Sequence, residues 1–241
     1  MKKTITLTIM SLMLVSVINA QSWGNKKIKG NGNVVTENRT TSDYSGIKCA
    51  GSMDYILVAG EEGKITLEGD SNLLEYIITE VKGDNLIIKT KKGVNMSYKN
   101  NAVKVIIPFK DINTISLAGS GDLYNKDLVK ANKLSVSLAG SGDLKLEIDT
   151  DFVKGAIAGS GDLTLEGNTN TLEARVAGSG DFHGFDLQAN DTDVAVAGSG
   201  DAKVFSNKTL KARVAGSGDI VYRGNPEVDK KVAGSGDISK N

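Results

Sequence analysis

Five residues, Ala-Gly-Ser-Gly-Asp, recur seven times in the second half of the chain, beginning at Ala118, Ala139, Ala158, Ala177, Ala197, Ala215 and Ala233. The intervals are 21, 19, 19, 20, 18 and 18 residues. A near-constant period of this length is the signature of a repeat architecture. Within one unit, Leu163 and Leu165 alternate with polar residues, and so do Leu172, Ala174 and Val176. Period two marks a strand with one buried face. Gly167-Asn168 and Gly178-Ser179-Gly180 read as the turns between strands. Each unit is thus strand, turn, strand, turn. Two such strands cannot bury an apolar face alone, but stacked coils build a continuous core. A propeller blade needs about 40 residues, and no helical i, i+4 pattern is present. The expectation is an all-β chain: a right-handed parallel β-helix-like, two-sheet solenoid with Gly-Ser-Gly-Asp turns and a less regular N-terminal part.

The repeated motif holds 14 of the 28 glycines, and a sharp corner at positive φ is a reason for them. Ala and Ser are small enough to stack on their equivalents about 4.8 Å away in the next coil. The carboxylates need more explanation. Asp122, Asp143, Asp162, Asp181, Asp201, Asp219 and Asp237 would form one row, in which neighbours repel by roughly 1 kcal/mol in water. Either each Asp accepts backbone N–H bonds within its own turn, or the row is a calcium-binding edge, as in glycine-rich nonapeptide rolls. The structural role is the simpler reading, because those rolls carry ligands on both edges and Gly167-Asn168-Thr169 lacks an acid. Ser120, Ser141, Ser160, Ser179, Ser199, Ser217 and Ser235 would lie beside the acids. That makes a regular hydroxyl and carboxylate ladder suited to multivalent ligand contact.

The N-terminus carries an export signal. Lys2 and Lys3 precede a largely apolar, uncharged stretch from Thr4 to Ile18, and Asn19-Ala20 precedes Gln21. This is the layout of a signal peptide over residues 1–20; as a membrane anchor the stretch falls short of the ~20 residues a spanning helix needs. No later stretch is apolar enough to span a bilayer, so no transmembrane segment is expected in the mature chain. Basic and acidic residues number 29 each, which argues against nucleic acid, whose phosphates demand a basic face. Cys49 and His183 are the one cysteine and the one histidine, too few for a zinc site. Cys49 reads as a small buried hydrophobe.

Residues 21–33 are polar and rich in Gly and Asn and read as a flexible leader, and 34–241 as one solenoid domain. Within it, 34–117 form irregular coils or a cap and 118–241 the regular coils. Strands are expected at Asp54–Ala59, Lys64–Glu68, Asn85–Lys89 and Ala102–Ile107, with one helical turn in Asp70–Glu75 capped by Asp70 or Asn72. Ala50-Gly51-Ser52-Met53-Asp54 is a degenerate relative of the repeat. The segments Ile47–Ala59, Leu67–Leu74, Leu86–Lys89 and Val105–Pro108, with the run of Gly-Ser-Gly-Asp turns, resemble the head GIN domain family of exported bacterial proteins. The resemblance covers 34–241. It implies a β-helix-like fold related in shape to pectin lyases, without their catalytic residues, and a role in adhesion. It supplies no site residues.

Catalysis finds little support. Gly-x-Ser-x-Gly is absent, and His183, between Phe182 and Phe185, reads as a surface or packing residue. Glycoside cleavage needs two carboxylates about 5–9 Å apart across a groove. Any stacked Asp row meets the spacing, but coils of 18–21 residues leave no long loops for the walls. The sequence thus points to an exported, non-catalytic binding or adhesion module of the cell envelope, without a cofactor, in the periplasm or at the surface. Its ligand would be a glycan or a protein. The alternatives are a self-assembling structural protein (a homo-oligomer through the coil end at Ile238–Asn241, which Lys240 would blunt) and a polysaccharide-active enzyme.

Overall fold

A computed structural model describes residues 26–99 and 102–241; the expected signal peptide lies outside the described residues. The protein is all-β apart from the single turn Ser71–Leu74. Two ladders of strands run through the C-terminal half. In the first, the alanines of the repeat stand in strict register: Ala50 pairs with Ala118, and the pairing continues through Ala139, Ala158, Ala177, Ala197, Ala215 and Ala233. In the second, Tyr55, Leu123, Leu144, Leu163, Phe182, Ala202, Ile220 and Ile238 are stacked, again all parallel. The C-terminal half is therefore a β-solenoid, and the degenerate motif at Ala50 is its first rung.

Alternation fixes which side faces in. Leu144, Leu146 and Ile148 from one side and Val136, Leu138, Val153 and Ile157 from the other are all buried. Coil volume is balanced across the core. Phe182 is fully buried, and its ring fills the space opposite Gly155, where an added Cβ would come within 3.2 Å of it. Its neighbours in the second ladder are Leu163 and the small Ala202. The long strands Leu144–Gly159 and Leu163–Gly178 run through both ladders. Gly167, expected at a turn, instead bends a continuous strand with φ +110°, and its Cα side presses on the Ile148 carbonyl of the coil below.

Between rungs one and two, residues 60–113 leave the stack and return beneath it. Asn85–Thr90 pairs in parallel with Gly46–Gly51, and Lys104–Phe109 with Asp54–Ala59. Together they make a further coil below the first rung, although they come later in sequence. Antiparallel strands then end the stack: Ile77–Lys82 lies on Asn85–Thr90, and Lys64–Asp70 and Val34–Thr40 extend the other ladder. Part of the Gly/Asn-rich stretch expected to be a flexible leader is ordered here. Lys26–Lys29 forms a two-stranded parallel sheet with Val94–Ser97, and Gly30 N donates to the Ser97 carbonyl. Main-chain pairing, which composition does not register, holds that polar segment.

Candidate functional site: the Ser–Asp edge

Each corner of the repeat uses its two glycines for different physical reasons. The first, such as Gly119, Gly159 or Gly216, has φ between +125° and +139°, a region that side chains reject. The second, such as Gly121 or Gly180, has no positive φ. It is glycine because coils stack with the backbones in contact: a Cβ on Gly121 would lie 2.0 Å from the Met53 carbonyl oxygen, and one on Gly180 2.1 Å from that of Gly161. The corner is closed by pairs of N–H groups converging on one carbonyl below. Ser141 N and Gly142 N both donate to Gly119 O, and Ser160 N and Gly161 N to Gly140 O. The serine side chains are left outside, and all seven serines are exposed.

The aspartates are tied between coils, not within their own turns as expected from sequence. Oδ1 of Asp122 accepts the N–H of Asp143 at 3.0 Å, Asp143 accepts from Asp162 at 3.2 Å, and Asp162 from Asp181 at 2.9 Å. The series continues through Asp201, Asp219 and Asp237. The main-chain carbonyls join in: Asp143 O accepts from Leu123 N, and Asp162 O from Leu144 N. A hydrogen bond to a charged group contributes about 1.5–3 kcal/mol, more than the roughly 1 kcal/mol that adjacent carboxylates repel in water. The ladder is therefore favourable without a counter-ion. The lowest rung differs. Asp54 is partly covered by the inserted segment, and burial, reinforced by the charge of Asp122 and opposed by Lys104, pushes its carboxyl above the usual range. Ser52 is engaged by Tyr98 at 3.0 Å, so the open edge begins at Ser120.

His183 lies on the outer face of the second ladder, its Nε2 3.7 Å from Asp162 Oδ2. Atoms of Asp162, Asp181 and His183 come within 4.8 Å of one another. Asp162 Oδ1 already accepts the Asp181 N–H, and the spacing follows from the repeat. Cys49 is free and buried, and stands in the inner row beside Leu117. Burial raises its thiol well above the ordinary range, which makes it inert at neutral pH.

The first ladder carries an outer feature not anticipated from sequence. Lys154, Glu173, Asp193, Lys211 and Asp229 stand in one row. Arg175 and Arg213 brace it, each donating to a carbonyl in its own coil and one in the next. Mixed charge at equivalent positions of successive repeats was the legible sign. The larger concavities are elsewhere. An open cleft of about 570 Å³ lies between Asp111–Asn113 and Lys130–Lys133, and one of about 450 Å³ adjoins it at Lys130.

The described residues thus form a parallel β-solenoid, closed at one end by an inserted segment and carrying a repeated polar edge. Residues 43–226 match the family described as "Putative auto-transporter adhesin, head GIN domain", and the chain belongs to this family. It is similar to a crystal structure of a "Putative lipid binding protein" from Parabacteroides distasonis ATCC 8503, with 31% identity and a TM-score of 0.75 over 90% of this chain and 100% of that one. A "putative adhesin" of the same organism shares 25% identity, with a TM-score of 0.74 over 89% of this chain and 100% of that one. A further "putative adhesin", from Bacteroides fragilis NCTC 9343, has the same fold at 22% identity, with a TM-score of 0.80 over 89% of this chain and 100% of that one. None of these three is described as an enzyme. No functionally curated protein matches the chain.

Proposed function

We propose that the protein is an exported, non-catalytic binding module of the bacterial cell envelope, and that the Ser–Asp edge from Ser120 to Asp237 meets its ligand. One observation carries this reading: the in-register stacking of seven exposed serines beside seven aspartates. Over six steps of about 4.8 Å the edge spans about 29 Å. A ladder of that length matches a repeating ligand, so that weak contacts at each rung add through effective concentration. An extended glycan has that character, and the adhesin descriptions of the relatives agree with it. The coils are taken to wind right-handedly, as parallel crossovers do. The carboxylates serve the ladder itself, which favours a row without calcium.

The test is retention of the purified protein on immobilised bacterial and host polysaccharides and on phospholipid vesicles, with new reducing ends measured in parallel. Saturable retention on a glycan without release of reducing ends supports the reading. Release of reducing ends would move the protein to the polysaccharide-active enzymes. Retention on vesicles alone would move it toward the lipid-binding description given to its Parabacteroides relative.

Self-assembly through the last coil is disfavoured by a specific residue. Lys230 stands in the inward row after Val194 and Ala212, and its Nζ bonds to the Ile238 carbonyl across the coil. An inward-facing charge on an edge strand opposes pairing with another copy. Lys240, expected to blunt this edge, donates to Asn225 Oδ1.

A further inference from the structure

In a regular coil, the leg that carries the chain from the second ladder back to the first is paired on both sides: residues 148–153 lie between 129–134 below and 167–172 above. Residues 129–134 themselves have a strand above and none below. Their strand, Val129–Gly140, meets Thr114–Gly119 only from Ser135 onward. The leg that would lie beneath them belongs to the first rung, and the chain leaves that rung after Ala59. Lys64–Asp70 pairs antiparallel with Val34–Thr40 and Lys104–Phe109 instead. One leg of one coil is therefore missing, and the two adjoining clefts that meet at Lys130 lie along the open edge. The gap has closed ends. At one, Lys126 N donates to the Leu57 carbonyl and Asp127 accepts the Ala59 N–H. At the other, Ser135 N donates to the Asn113 carbonyl. Between these ends, no segment other than Leu144–Gly159 hydrogen-bonds to the main chain of 129–134 among the described residues.

A strand without a neighbour presents a row of unpaired N–H and C=O groups, and another extended main chain is what matches such a row. Six residues at about 3.3 Å each make an edge of about 20 Å. The lining says what kind of chain fits. Lys110, Lys130 and Lys133 line the two clefts against the acids Glu61 and Asp111. None of the three lysines is in an ion pair among the described residues. Lys130 and Lys133 stand exposed on the open edge itself, in a chain whose formal charge is zero. A second copy offering the same edge would set lysine against lysine, a charge pattern that keeps edges apart. We propose that the gap is a docking groove for an extended acidic segment of a partner protein, which supplies the missing leg as an added strand, at a site separate from the Ser–Asp edge. Main-chain hydrogen bonds hold the segment, Lys130 and Lys133 select its acidic side chains, and Leu128, 37% exposed at the rim, meets an apolar one.

The experiment measures retention of the purified protein on an array of immobilised hexapeptides with Glu at alternate positions and Val, Thr, Leu or Ala at the others. Each peptide stands beside its counterpart with Lys in place of Glu, and beside versions N-methylated at one or the other alternate set of amides. Saturable retention on acidic peptides is expected, at least tenfold above the Lys counterparts. Methylating one set of amides should abolish it, because alternate residues of an added strand bond to the edge. The double variant Lys130→Glu with Lys133→Glu should lose at least tenfold in retention at an unchanged Tm, since both side chains are exposed. Ser179→Arg, on the Ser–Asp edge, should retain the peptides as the unaltered protein does. The proposal is overturned if no acidic peptide is retained above its Lys counterpart. It is also overturned if retention survives methylation of either set or the double charge reversal, or if it is lost with Ser179→Arg. Sedimentation showing a dimer that the charge reversal alters would give the groove to a second copy and overturn it as well.

Discussion

At the residue scale, two kinds of glycine can be told apart by mutation. Gly180→Ala drives a methyl group into the Gly161 carbonyl of the coil below, with backbone on both sides and no side chain to give way. A loss of about 3 kcal/mol or more is expected in denaturant melts. Gly83 has φ +56° but open space around it, so Gly83→Ala should cost only about 1 kcal/mol. From sequence, positive φ was the reason assigned to Gly121 and Gly180. The structure moves that reason to the first glycine of each motif, and contact between coils takes its place at the second. Intercoil distance is a property of the stack, which no local pattern reveals. Asp54 offers a titration at the same scale. Its folded pKa lies above the unfolded value because of burial and then Asp122. The folded state therefore holds the extra proton, and the favourable contribution present at low pH is lost as pH rises through the folded pKa. The Tm of Asp54→Asn should accordingly gain on that of the unaltered protein as pH rises from about 3 and then hold a constant lead. A lead that shrinks with rising pH would reverse the sign.

At the element scale, the Asp ladder makes a graded prediction. Asp162→Asn keeps an oxygen to accept the Asp181 N–H and should change stability by less than about 1 kcal/mol. Asp162→Ala leaves that N–H without its acceptor and should cost about 1–3 kcal/mol in the same melts. The terminal strand Glu227–Gly234 carries the second prediction. Replacing Lys230 by Val restores the apolar inner row of Val228 and Val232 and removes the charge that guards the edge. In sedimentation, the unaltered protein should keep a concentration-independent monomer mass while Lys230→Val associates. Concentration-dependent association of the unaltered protein would contradict the role given to Lys230. The regular strands were legible because alternation and a fixed period speak through local sequence. The strand positions expected at 54–59, 64–68 and 85–89 also match strands of the structure. What local sequence could not carry is order in space. The coil of Asn85–Thr90 and Lys104–Phe109 has no repeat motif and sits below a rung that precedes it in the chain.

At the scale of the whole molecule, the excursion of residues 60–113 makes the two ends of the stack unlike. With Val34–Thr40 it seals one end of the stack with antiparallel strands, and Tyr98 engages the hydroxyl of the first rung. The long sides stay open, and of these the Ser–Asp edge is the most regular. The architecture was legible from seven copies of five residues; the engaged first rung was not, because it arises from segments distant in sequence. The central claim, that this edge meets the ligand, is tested most directly by measuring glycan retention of a variant carrying Ser160→Arg, Ser179→Arg and Ser199→Arg. These side chains are exposed, so the fold and the Tm should be unchanged while retention falls at least tenfold. Retention equal to that of the unaltered protein, at an unchanged Tm, would contradict the account and place the ligand on another face.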